Sequence, residues 1–158
     1  MIENPGIKNL VVPIGRDFCR RFTIKDRVLE DDTFVDTPRN LLNYTFKSEI
    51  RSSTKPTSSL ISEFTVLVAD NLRLEYTVAR DGGFSGTESE WLTSTGYPEL
   101  YDPAVDTIGV IWLYLSDTDT KDIEVSKGYY DLLITNAIDQ DDTYMSGLVT
   151  FTPFPTVK

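Results

Sequence analysis

The stretch FTVLVADNLRLEYTVA, residues 64–79, decides how this chain is read. Its first half is an apolar run. Its second half sets Leu72, Leu74, Tyr76 and Val78 against Arg73, Glu75 and Thr77, the period of two expected of a half-buried strand. Between the halves lie Asp70 and Asn71, whose chemistry suits a tight turn. Read this way the stretch is a β-hairpin, and the chain around it should be all-β.

The same period recurs on either side. NYTFKSEIRSS, residues 43–53, places Tyr44, Phe46, Ser48 and Ile50 on one face and Thr45, Lys47, Glu49 and Arg51 on the other. DFCRRFTIKD, residues 17–26, alternates similarly, with Arg20 intruding on the apolar side. IGVIWLYLS, residues 108–116, is apolar on both faces and predicts a central strand. GYYDLLITNA and MSGLVTFTPF flank Asp139, Gln140, Asp141 and Asp142, a polar link that suits a hairpin loop. The only helix candidate is a single turn around residues 118–125. About seven or eight short strands with varied connections and no internal repeat predict an immunoglobulin-like β-sandwich.

The 158 residues suit one domain, 1–158, with extended arms at 1–9 and 152–158. Residues 80–107 interrupt the strand pattern with glycines, prolines and the aromatics Phe84, Trp91, Tyr97 and Tyr101. So long a loop inside a domain points to function. The alternative is that Trp91 and Tyr101 cap the domain's own core.

Composition narrows the chemistry. Lys and Arg number 15 against 25 Asp and Glu, a net charge of -10, which opposes binding to nucleic acid phosphates. There is no histidine and one cysteine, Cys19, so imidazole bases, Cys-His and Ser-His-Asp nucleophiles, thiolate zinc clusters and intramolecular disulfides are excluded. No window approaches the ~20 apolar residues of a membrane span, and MIENPGIKNLVVPIG lacks the character of a signal peptide. The expectation is a chain made in a reducing cytoplasm, with no enzyme activity and no cofactor.

The acidic clusters do not match metal motifs. SDTDTKDIE starts like a calcium loop at Asp117 and Asp119, but Lys121, Asp122 and Gly128 fall where an oxygen ligand, a glycine and a bidentate glutamate are required. An exposed turn with an aspartate capping a helical turn explains it. Asp139, Asp141 and Asp142 read as a charged hairpin tip, and Glu30, Asp31 and Asp32 carry still less signal. RDGGFSG lacks the order of a phosphate loop and leads into Glu88 and Glu90, so its glycines are assigned to turns.

Several segments in this order resemble a small β-sandwich domain of bacteriophage tail and baseplate proteins, including the N-terminal domain of upper baseplate proteins. They are Gly15 and Asp17 with FCRRFTIKD, then LLNYTFKSEIR, EFTV, KGYYDLLIT and SGLVTFTP. Arg16 interrupts the glycine-aspartate start, and residues 80–107 stand as an insertion. The resemblance implies a non-enzymatic virion subunit, made in the host cytoplasm and assembled in symmetric copies with other virion proteins. It implies no catalytic residues.

The candidate contact residues are Phe84, Trp91, Tyr97 and Tyr101 in the loop, with Ile7 and Phe154 in the arms, because large apolar side chains dominate interface energetics. Two other roles fit the same sequence: a carbohydrate-binding module stacking sugars on the loop aromatics, and a capsid decoration protein.

Overall fold

The computed structural model describes residues 6–94, 108–136, 138 and 141–153. Half of the chain is strand and 18% helix. Ten strands are described: β1 (Gly6–Ile7), β2 (Leu10–Pro13), β3 (Phe18–Thr23), β4 (Lys25–Glu30), β5 (Thr33–Pro38), β6 (Thr45–Arg51), β7 (Leu60–Val68), β8 (Val110–Leu115), β9 (Lys127–Thr135) and β10 (Asp141–Thr152). Three helices join them: α1 (Ala69–Asp81), α2 (Glu88–Ser94) and α3 (Asp117–Thr120).

The expected immunoglobulin-like sandwich is not formed. Eight of the described strands belong to a single mixed sheet in the order β1-β10-β9-β6-β7-β8-β3, with β2 also on β10, while β4 and β5 make a separate two-stranded ribbon. The sheet is strongly curled. Its connectivity gives the reason. In a flat sheet β2 and β3 would stand about 29 Å apart, at about 4.8 Å per strand step. Residues 14–17 are the whole connection between them, and they reach at most about 18 Å when extended. The sheet has to bend its edges toward each other, and a bent single sheet covers its own inner face without a second one.

By contacts the chain falls into two compact units. One gathers Arg21–Asn43 with Leu67–Trp112; the other gathers Asn4–Arg20, Tyr44–Val66 and Leu113–Lys158.

In the second unit, strand alternation does what the sequence predicts. On β9, Gly128, Tyr130, Leu132 and Ile134 turn inward and Tyr129 and Asp131 outward; on β6, Ser48 and Ile50 are buried and Lys47 is exposed. Register puts Ile50 opposite Tyr130. These residues share a core with Leu10, Val12, Val149 and Phe151. The buried Ser48 hydroxyl donates to the Asp131 carbonyl at 2.7 Å, so its burial leaves no unsatisfied group.

The first unit holds the main local departure. Residues 71–79, expected to be the second strand of a hairpin, lie instead in the helix α1, and Asp70 lies in its first turn rather than in a β-turn. The helix buries Ala69 and Leu72 and packs Tyr76 and Ala79 against the same cluster, the i, i+3, i+7 face of a helix. Leu74 and Val78, the other half of the apparent strand face, are exposed. The helix ends in a Schellman motif: Gly83 at φ +114 donates to the Arg80 carbonyl, and Phe84 N–H returns to the Ala79 carbonyl. The glycine pair of RDGGF is thereby explained as a helix stop.

Candidate interaction surfaces

Of the loop aromatics, Phe84 and Trp91 turn toward the first unit's own core. Trp91, on α2, is only 8% exposed and packs with Leu67, Leu72, Val110 and Trp112. Phe84 is half-buried, edge-on to Tyr76 at 6.4 Å between ring centres, and Tyr76 in turn lies 6.1 Å from Trp91. Trp91 has no free face on which a sugar ring could stack. Tyr97, Tyr101 and Phe154 lie outside the described residues. Ile7, on β1, is 76% exposed.

The surface that the sequence reading missed is the β4-β5 ribbon. Its turn has only two residues, Asp31 and Asp32, both at positive φ (48° and 63°), the geometry of a type I′ hairpin. Leu29 stands directly across from Phe34, and Val28 from Val35. Leu29 is 59% and Phe34 67% exposed, on one face, and Val28 on the other face is exposed as well. The Arg27 guanidinium grips Asp36 through two contacts, Nε to Oδ1 at 3.0 Å and Nη2 to Oδ2 at 3.3 Å, and lies 6.0 Å from the centre of the Phe34 ring. That hydrogen bonding holds the Asp36 carboxyl below its ordinary range. Beyond the apolar pair come Glu30, Asp31 and Asp32, all exposed. A signal was present in the sequence: VL and FV symmetrically flank EDDT, two apolar pairs around a two-residue turn.

The second unit carries a groove of about 710 Å³ on the outward face of β6, β9 and β10. Tyr129, Leu133 and Leu148 supply its apolar surface, the arm residues Ile7 and Asn9 border it, and the segment holding Lys55 and Pro56 borders it too. Its charged residues are Lys47, Glu49, Arg51, Lys55 and Asp131. Lys47 Nζ lies 3.0 Å from Glu49 Oε1, and Arg51 contacts the other oxygen of the same carboxylate. Hydrogen bonding between them raises Lys47 and lowers Glu49 relative to their ordinary values, so both stay charged.

The N-terminal arm is built into the sheet. β1 and β2 both add in parallel to β10. Tyr130, buried beneath, donates its hydroxyl to the Lys8 carbonyl at 2.7 Å, and Asn9 accepts the Leu148 N–H at 3.0 Å. Burial pushes the Tyr130 phenol up to about 12.

In the acidic turn at 117–124, Asp117 and Asp119 spend carboxylate oxygens on the backbone N–H groups of Thr118 and Ser116. Ser116 and Asp119 make a reciprocal capping box at the start of α3, and Asp17 accepts the Asp117 N–H at 2.8 Å. Among the described residues no group of three or more His, Cys, Asp or Glu is arranged to hold a metal ion. The side chains of residues 139–142 lie outside the description. Cys19, on β3, is free and solvent-exposed, yet local desolvation pushes its thiol up to about 11, which keeps it from ionising at neutral pH. No described helix is long and apolar enough to cross a membrane. No protein-family model matches this sequence, and no curated protein matches it.

Proposed function

We propose that this chain is a non-enzymatic structural subunit of a bacteriophage particle, a tail, baseplate or adaptor component that docks onto other virion proteins. The observation that carries the docking role is the β4-β5 ribbon with its bare Leu29–Phe34 pair. A two-stranded ribbon on its own is marginally stable in water, and here its end displays apolar side chains on both faces. Such a ribbon gains order and buries apolar area when a partner covers it. The virion assignment draws its support from the strand sequences alone, since the sandwich that the resemblance implied is not formed: the segments that resemble phage baseplate domains fall on β3 and the start of β4, and on β6, β7, β9 and β10. An inventory without histidine and with one high-pKa thiol supports the absence of catalysis.

The test is retention of virion proteins from disrupted particles on the immobilised chain, together with mass spectrometry of intact particles. Wild type should retain a virion component, and Leu29→Ser/Phe34→Ser should lose it. Absence of the chain from particles, with no virion protein retained, rejects the reading.

A further inference from the structure

We infer that the groove on β6, β9 and β10 is a binding site for a neutral carbohydrate, a short oligosaccharide seated on Tyr129. The groove lies within the second unit and is lined by none of the ribbon residues, so the site stands apart from the docking role proposed above. Its volume of about 710 Å³ falls in the range of roughly 300–1,000 Å³ usual for small-molecule sites. Register arranges its floor in rows across the three strands. Tyr129 stands between Arg51 on β6 and Leu148 on β10, and further along the sheet Leu133 stands between Lys47 and Thr143. The row between them is polar: Asp131 is paired with Ser146, and Glu49 lies on β6 between Lys47 and Arg51.

The charge of the floor selects the class of ligand. Glu49 pairs with both Lys47 and Arg51, and Glu63 adds a second negative neighbour to Lys47. With Lys55 and Asp131 there are three cations against three carboxylates, so neither an anionic nor a cationic ligand finds a counter-charge. A wholly apolar ligand would strip water from these charged groups and return no hydrogen bond. A sugar ring avoids both penalties. It carries no charge, each of its hydroxyls donates and accepts, and one face of the ring is C–H. Tyr129, 38% exposed, offers that face an aromatic surface. At strand spacings of about 4.8 Å across the sheet and about 6.6 Å per two residues along it, Arg51 and Asp131 flank the ring where its hydroxyls would fall. The Asp131 carboxylate has no hydrogen bond or ion pair among the described residues, so its lone pairs are open to a ligand. Arg51 is held by the Ser58 carbonyl at 2.7 Å as well as by Glu49, which orients it before a ligand arrives and leaves it N–H donors to give.

The experiment uses the full chain, biotinylated and clustered on streptavidin so that weak single-site binding registers, on an array that holds neutral oligosaccharides beside sialylated and phosphorylated ones. Wild type is expected to bind at least one neutral class, with an affinity that changes less than about twofold over a tenfold rise in salt. Titration calorimetry with that glycan should show Tyr129→Ala and Asp131→Ala each binding at least tenfold more weakly. Both sites are exposed, and circular dichroism with thermal unfolding checks that the variants keep the fold. Leu29→Ser/Phe34→Ser should bind the glycan as wild type does, whatever it does to the retention of virion proteins. An array with no neutral hit overturns the inference, as does a hit confined to charged glycans or one that survives both groove substitutions. Glycan binding lost in the Leu29→Ser/Phe34→Ser variant places the sugar on the ribbon and overturns the site as well.

Discussion

Asp70 and Gly109, 39 residues apart in sequence, are joined by a buried hydrogen bond of 3.1 Å from the Gly109 N–H to the Asp70 carboxylate. The same oxygen accepts the Leu41 N–H at 2.9 Å, and the other oxygen meets the Arg73 guanidinium. One carboxylate in the first turn of α1 thus fixes the segment after β5, the turn before β8 and the helix itself. Gly109 can take part because it has no Cβ: its φ is +76, and a Cβ there would come within 2.7 Å of the Ile24 carbonyl oxygen.

Asp70→Ala is expected to destabilise the protein by about 2–4 kcal/mol, since it takes the acceptor from two buried N–H groups, those of Leu41 and Gly109. Urea unfolding checks this. A loss below about 1 kcal/mol would mean the network is replaced by water.

Gly147→Ala is expected to dislodge the N-terminal arm. A Cβ at Gly147 would lie 2.1 Å from the Lys8 carbonyl oxygen, and the backbone on both sides is held by strand pairing. Overpacking of this kind costs about 1–3 kcal/mol. Hydrogen exchange should show lost protection at the Lys8 and Ile14 amides, which donate to the Ser146 and Thr152 carbonyls. Unchanged protection would show that the arm shifts without detaching.

Alkaline pH should weaken the fold through Tyr130. Its phenol is raised to about 12 by burial, whereas an unfolded tyrosine titrates near 10. Below pH 10 both states are protonated and the stability is complete. Between about 10 and 12 only the unfolded chain releases the proton, so stability falls by up to about 1.4 kcal/mol per pH unit. Tyr114 is raised as well, by desolvation first and by neighbouring Asp17 second, and adds in the same direction. Tyr130→Phe should flatten this limb and cost about 1 kcal/mol at neutral pH for the lost bond to Lys8. Unfolding curves from pH 8 to 11.5 report both; an equal slope in the two proteins would reject the assignment to Tyr130.

Asp32→Gly should stabilise the ribbon turn. Asp32 sits at φ +63, where a non-glycine residue costs about 1–2 kcal/mol. Exchange at ribbon amides should slow by several fold, and faster exchange would show that the Asp32 side chain itself holds the turn.

Some of this protein is written locally and some is not. β6, β9 and β10 were legible because one face of each meets a core and the other meets water, which forces apolar residues to every second position. β8 was legible from its unbroken apolar run. Residues 69–81 were not, because their apolar residues satisfy two periods at once: Leu72, Leu74, Tyr76 and Val78 alternate, while Ala69, Leu72, Tyr76 and Ala79 trace a helix face. The Ala, Leu, Arg and Glu content favoured the helix. The tertiary structure chose it, because a cluster with Trp91 and Trp112 covers the helical face and leaves Leu74 and Val78 to solvent. The sequence carried no mark of which strands would be neighbours. Only the folded chain decided on one curled sheet, because a connection of four residues cannot bridge the opposite edges of a flat one. Strand identity is set by neighbours along the chain, whereas sheet curvature and exposed surfaces are set by neighbours across it.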